Sequence, residues 1–320
     1  MKKISLKNII DQQYQALRQT KFAAFLRKIP FPLSGKVPMT EVIKIFYQKM
    51  VKESISQRAY AIAFSFFLAL FPGLIFVFSL IPYFPVPDLA DEIKQMLHEF
   101  LPESAFEMLW DTIEDIILVR RGKLLSLGVV LAIYFSSNGI NTLLLALKKD
   151  LPRHWMMRYV VAFFLTIILV LMILISLCVQ ITGEIIISYF SDSFFFSGTS
   201  LIPLVWGLKL FVTLFTAIFS ISLLYFYGTH KSERFRFFSP GAFLSTIMIG
   251  VISYGFGFYV ENFNSYNKFY GSLGAIIVLM MWLYFSALSL ISGYELNQSV
   301  YKAKVSGNNQ LKNDKEEIIS

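Results

Sequence analysis

The sequence predicts an all-α, polytopic membrane protein with about six transmembrane helices, both termini cytoplasmic, and an amphipathic helical pair in the first outer loop. Three observations carry this. Six apolar stretches, each uncharged or nearly so, lie between Ala59 and Asn297. A helix rises about 1.5 Å per residue and the hydrocarbon core is about 30 Å thick, so about 20 apolar residues cross it. Second, 56% of the 320 residues are hydrophobic and only 16% are charged. Soluble domains carry about 25% charged residues, so this chain has too little polar surface to cover a globule in water. Third, Lys and Arg gather in alternate connecting segments.

The N-terminal segment 1–58 holds twelve of the 29 Lys and Arg residues and lacks the continuous apolar region of a signal peptide, so the first span is expected to act as an uncleaved insertion signal. Within it, Pro30 to Pro38 breaks the chain and Thr40 is a reasonable N-cap. Ile43, Phe46, Tyr47, Met50, Val51 and Ile55 then form an apolar stripe opposite Lys44, Lys49 and Lys52, the pattern of a helix lying in the headgroup layer.

The spans are expected at 59–82, 124–147, 159–182, 203–227, 239–260 and 269–297. Segments before the first span, after the second, after the fourth and after the sixth hold 23 Lys and Arg, and the other three loops hold 5. By the positive-inside rule both termini face the cytoplasm. Loop 83–123 carries nine acidic residues and, on either side of Pro102, apolar residues at helical spacing. Two amphipathic helices on the outer face follow, either capping the span ends or forming a vestibule or docking surface. The tail 301–320, rich in Gly, Asn, Lys and Glu, reads as disordered.

The net charge of +8 is spread over separate loops rather than one basic face, which removes nucleic acid as a partner. The lone Cys178 sits in an apolar span and allows no intrachain disulfide. His98, His154 and His230 fall in three loops, and no metal signature, phosphate loop or nucleophile elbow is present. Enzyme activity is disfavoured, and no cofactor or metal is expected.

Polar residues inside the spans are the first functional candidates, because burying them in lipid is costly. Ser137, Asn138 and Asn141 lie in the middle of the second span, as interhelical glue or along a solute path. Pro72, followed by Gly73, interrupts the first span and marks either a binding site or a shape device. Glu295 ends the sixth span after 26 uncharged residues, paired with a cation at the interface or facing a cavity as a coupling carboxylate. Lys209 is placed to snorkel from the fourth span.

Tyr259 to Ala275, containing Asn264 and the block Tyr270-Gly-Ser-Leu-Gly274, joins Trp282-Leu-Tyr284, Gly293-Tyr-Glu-Leu-Asn297, Arg58 to Phe64, Leu70-Phe-Pro72, Ser137 to Asn141 and Ser239-Pro-Gly-Ala242. In these segments, spread over about residues 40–300, the chain resembles the YihY/BrkB family of bacterial inner-membrane proteins. The resemblance implies six spans, both termini inside and the bacterial plasma membrane. It implies no settled activity: the family's former ribonuclease label is regarded as mistaken, and transport is the commoner view. Lys148, Gly228 and Tyr294 depart from the family pattern. Gly271 and Gly274 are expected to allow close helix packing or, as exposed amides at a helix start, to hold an anionic group.

The expected function is transport or permeation of a small ion, solute or envelope lipid. Its cavity is expected between the first, second, fifth and sixth spans, lined by Pro72, Ser137, Asn138, Asn141, Tyr254, Asn264, Tyr270 and Glu295. Membrane lipids are the other expected partner. A non-catalytic envelope scaffold is the alternative, ahead of an intramembrane lipid-modifying enzyme.

Overall fold

The computed structural model describes residues 37–52, 54–80, 94, 106, 110, 122–147, 155–191, 201–229, 237–262 and 272–319. They form seven helices: α1 Met39–Lys52, α2 Ile55–Leu80, α3 Gly122–Leu147, α4 Trp155–Ser191, α5 Leu201–Gly228, α6 Pro240–Asn262 and α7 Ser272–Ile319. The last six are long and apolar enough to cross a membrane, in keeping with six membrane spans. Each includes most of the residues its apolar run predicted, because that run sets the part of a helix that can cross a membrane.

Packing closes a ring. α2 lies on α3, α3 on α4, α4 on α5, α5 on α6, α6 on α7, and α7 returns to α2, while α1 lies along α7. The shared core gathers at one end: Ile55, Ala59 and Ile62 of α2, Leu143 and Leu147 of α3, and Leu165 of α4 meet Leu224 of α5, Ala242 of α6 and Ile291 of α7. This is the end where α2, α4 and α6 begin and α3 and α5 finish. At the other end large side chains such as Leu127, Val130, Leu204 and Trp206 are exposed, as lipid-facing residues are.

Three local expectations change. Thr40 does not cap α1; the carbonyl of Pro38 accepts from the amides of Glu41 and Val42 at 3.2 and 3.5 Å, so the helix starts on the proline that fixes the entering chain. Pro72 does not break α2, which runs through it unbroken, although the proline has no amide to donate to the Leu68 carbonyl one turn earlier. The tail is helical to Ile319 rather than disordered. Ala303 is buried against Val37 and Val42, so tertiary packing on α1 extends the last span beyond the membrane-length run.

Of the outer loop, only Lys94, Phe106 and Trp110 are described. All three are helical, Phe106 stacks on Trp110 at 5.6 Å, and the Lys94 ammonium lies 4.9 Å from the Trp110 ring centre. The rest of the predicted helical pair lies outside the described residues.

Candidate functional site

Glu295 is the anchor of an ion cluster that ties four helices together. Its carboxylate, 2% exposed, meets Lys49 Nζ of α1 at 2.7 Å and an Arg58 guanidinium nitrogen of α2 at 2.9 Å. Another Arg58 nitrogen donates to the Ala146 carbonyl of α3 at 2.6 Å, one of the last carbonyls of that helix. Two cations meeting one buried carboxylate fix α1 and α2 to α7. Of the two readings the sequence left open for Glu295, the cationic partner is the one present.

A second polar seam joins α5, α6 and α7. The Tyr225 hydroxyl donates to the Leu290 carbonyl at 2.6 Å and lies 2.6 Å from Ser245 Oγ, which in turn reaches the Ser289 carbonyl at 2.8 Å. Two hydroxyl hydrogens thus serve three short contacts, and only two can be donated at once. Next to it, Asn297 accepts from the Gly241 amide and donates to Ser239 Oγ, both at 2.8 Å, closing the start of α6 with the end of the membrane run of α7. The backbones almost touch: a Cβ on Gly293 would meet the Gly241 carbonyl, Ser245 Oγ and the Tyr225 hydroxyl, and one on Gly241 would meet the Gly293 carbonyl. The sequence singled out Ser239-Pro-Gly and Gly293 to Asn297 separately; nothing in it said that they meet.

In α3, Thr142 donates back to the Asn138 carbonyl at 2.9 Å and accepts from Ser65 of α2 at 3.1 Å, while Asn138 Oδ1 accepts from Tyr159 of α4 at 3.4 Å. Ser137 and Asn141, one turn apart on the same face, are both buried, and among the described residues Ser137 Oγ and Asn141 Oδ1 have no hydrogen-bond partner. That face lies between Leu144, which packs beside Gly228 of α5, and Asn138, which meets α4. The pair therefore turns toward the third and fourth spans, not toward a cavity between the first, second, fifth and sixth.

The remaining predicted residues scatter. Pro72 is buried in the other half of α2. Tyr254 is 79% exposed on the face of α6 that also presents Ile247 and Val251, so it does not line an internal cavity. Gly274 is buried near the start of α7, consistent with close packing, whereas Asn264, Tyr270 and Gly271 lie outside the described residues. Trp282 donates to Ser253 at 3.1 Å and Tyr284 stacks on Tyr60 at 4.4 Å, both packing contacts between helices. Between α6 and α7 an apolar cleft of about 440 Å³ is lined by Ile252, Phe256, Tyr259, Ile277, Met281 and Trp282. Among the described residues no three His, Cys, Asp or Glu side chains are placed to hold a metal.

Residues 46–318 match the sequence profile of the family described as Virulence factor BrkB. The ribonuclease-like protein YfkH of Bacillus subtilis is 32% identical over 271 residues, which cover 83% of this chain and 97% of that protein. A UPF0761 membrane protein of Haemophilus influenzae is 23% identical over 257 residues, covering 79% and 92% respectively. A UPF0761 membrane protein of Xanthomonas campestris is 38% identical over 80 residues, 25% of this chain and 19% of that one. No solved structure matches.

Proposed function

The chain belongs to the virulence factor BrkB family of membrane proteins, and within that family we propose that it is a transport or permeation protein for a small ion, solute or envelope lipid. One observation carries the reading: Ser137 Oγ and Asn141 Oδ1, buried one turn apart in the middle of a span, have no partner among the described residues. Leaving a polar atom unsatisfied in a low-dielectric interior costs about 1–3 kcal/mol, so such atoms point to a group that occupies the site in use. A hydrated or hydroxyl-bearing solute, or water itself, supplies what the neighbouring helices do not. The Glu295 cluster lies at the same end of the bundle as the shared core, and the excess of Lys and Arg in the segments at that end supports a cytoplasmic position for it. It would hold the path shut on that side.

Water access to the second span tests this. In a Cys178→Ser background, single cysteines at Asn138 and Asn141 are exposed to a membrane-impermeant maleimide from either side. Labelling at these mid-span positions is expected. Protection from both sides in folded protein would overturn the reading and leave the amides as packing. Flux of ions, osmolytes or labelled lipid into liposomes above that of empty vesicles is the functional counterpart.

A further inference from the structure

Helix α1 has two faces, and among the described residues the bundle packs on only one of them. Val42 is fully buried with Val37 and Ala303, packed by Ile45, Leu296 and Val300, and Lys49 on the same side reaches Glu295. On the opposite side Ile43, Tyr47 and Val51, spaced at successive turns, are 42%, 50% and 43% exposed. The single apolar stripe read from the sequence is therefore divided, part holding the bundle and part bare.

We propose that the bare stripe is seated in the lipid of the leaflet on the Glu295 side, with anionic phospholipid as its partner. The stripe is continuous with the lipid-facing surface: only two residues separate Lys52 from Ile55, and Tyr60 and Phe64 of α2 are exposed just beyond. A helix so tethered at a span's start lies at headgroup depth, where Tyr47 is suited to the interface. Charge agrees, since residues 1–58 hold twelve Lys and Arg, of which Lys49 and Arg58 are paired with Glu295, against three Asp and Glu. Anionic headgroups attract such a segment. Three side chains on one helix also fall far short of the roughly 800 Å² per partner that a stable protein interface needs. Held by lipid on one face and by the Lys49–Glu295 pair on the other, α1 joins the membrane surface to the end of α7.

Depth-dependent quenching in the full-length protein tests the proposal. A Cys178→Ser protein carrying a single fluorophore-labelled cysteine at Tyr47, or at exposed Glu41 as reference, is placed in nanodiscs of phosphatidylethanolamine and phosphatidylglycerol. Doxyl lipid labelled near the headgroup should quench Tyr47 at least about twofold more than Glu41, and aqueous iodide should show the reverse. Replacing phosphatidylglycerol by phosphatidylcholine should lower lipid quenching at Tyr47 by about half. Iodide reaching Tyr47 as it reaches Glu41 would place the face in water. Protection from both quenchers would mean that protein, a second copy included, covers it. Either result overturns the proposal, and insensitivity to phosphatidylglycerol overturns its anionic part.

Discussion

At the scale of single residues, close approach and unmet polarity make opposite demands. Gly293 has no room for a methyl group, because backbone oxygen and two hydroxyls already fill the space. Gly293→Ala must separate α6 from α7, at a cost of about 1–3 kcal/mol or more for overpacking, and should lower the melting temperature in detergent. Asn141→Leu acts the other way. It replaces an amide whose oxygen has no partner by a side chain of similar volume, so stability should hold or rise by about 1 kcal/mol. Flux in liposomes should fall, and undiminished flux would separate Asn141 from the path.

At the scale of elements, the ion cluster decides where α1 sits. Breaking a buried pair by removing one partner costs about 3–5 kcal/mol, since the other charge is left behind. Glu295→Gln leaves Lys49 and Arg58 facing a neutral group and should destabilise more than Lys49→Met, which leaves Glu295 paired with Arg58. Combining the two should cost less than the sum of the single changes, by about 0.5–3 kcal/mol, measured by a double-mutant cycle on thermal unfolding. Additive losses would mean that the contact between Lys49 and Glu295 contributes nothing. The six apolar helices themselves were legible in the sequence, because hydropathy marks the part of each that can cross a membrane. The extension of α7 to Ile319 was not, since it depends on Ala303 finding Val37 and Val42 across about 260 residues of chain.

At the scale of the molecule, the bundle's ends differ in kind. One carries the shared core, the Glu295 cluster and α1, whereas exposed apolar side chains occur at both, such as Tyr60 and Phe64 at the first and Leu204 and Trp206 at the second. The distribution of Lys and Arg predicts that the first of these faces the cytoplasm. A reporter fused after Ser320 should be active only if it is one that works in the cytoplasm, whereas a fusion within residues 192–200, between α4 and α5, should behave in the opposite manner. Activity of the opposite reporter at Ser320 would invert the orientation and move the proposed lipid contact of α1 to the other leaflet.

The sequence by itself determined the class, the number of apolar helices and their approximate limits, because each span must satisfy its own backbone and match the bilayer without help from distant residues. It also carried the resemblance through Ser239-Pro-Gly, Ser137 to Asn141 and Gly293 to Asn297. Only the tertiary structure decided which polar side chains meet. Glu295 found its cations on α1 and α2, Asn297 closed the start of α6, Tyr254 turned outward, and Ser137 and Asn141 turned toward α4 and α5 without partners. Helix rotation about its own axis sets these outcomes, and a span that is apolar all round carries almost no periodic signal to reveal it.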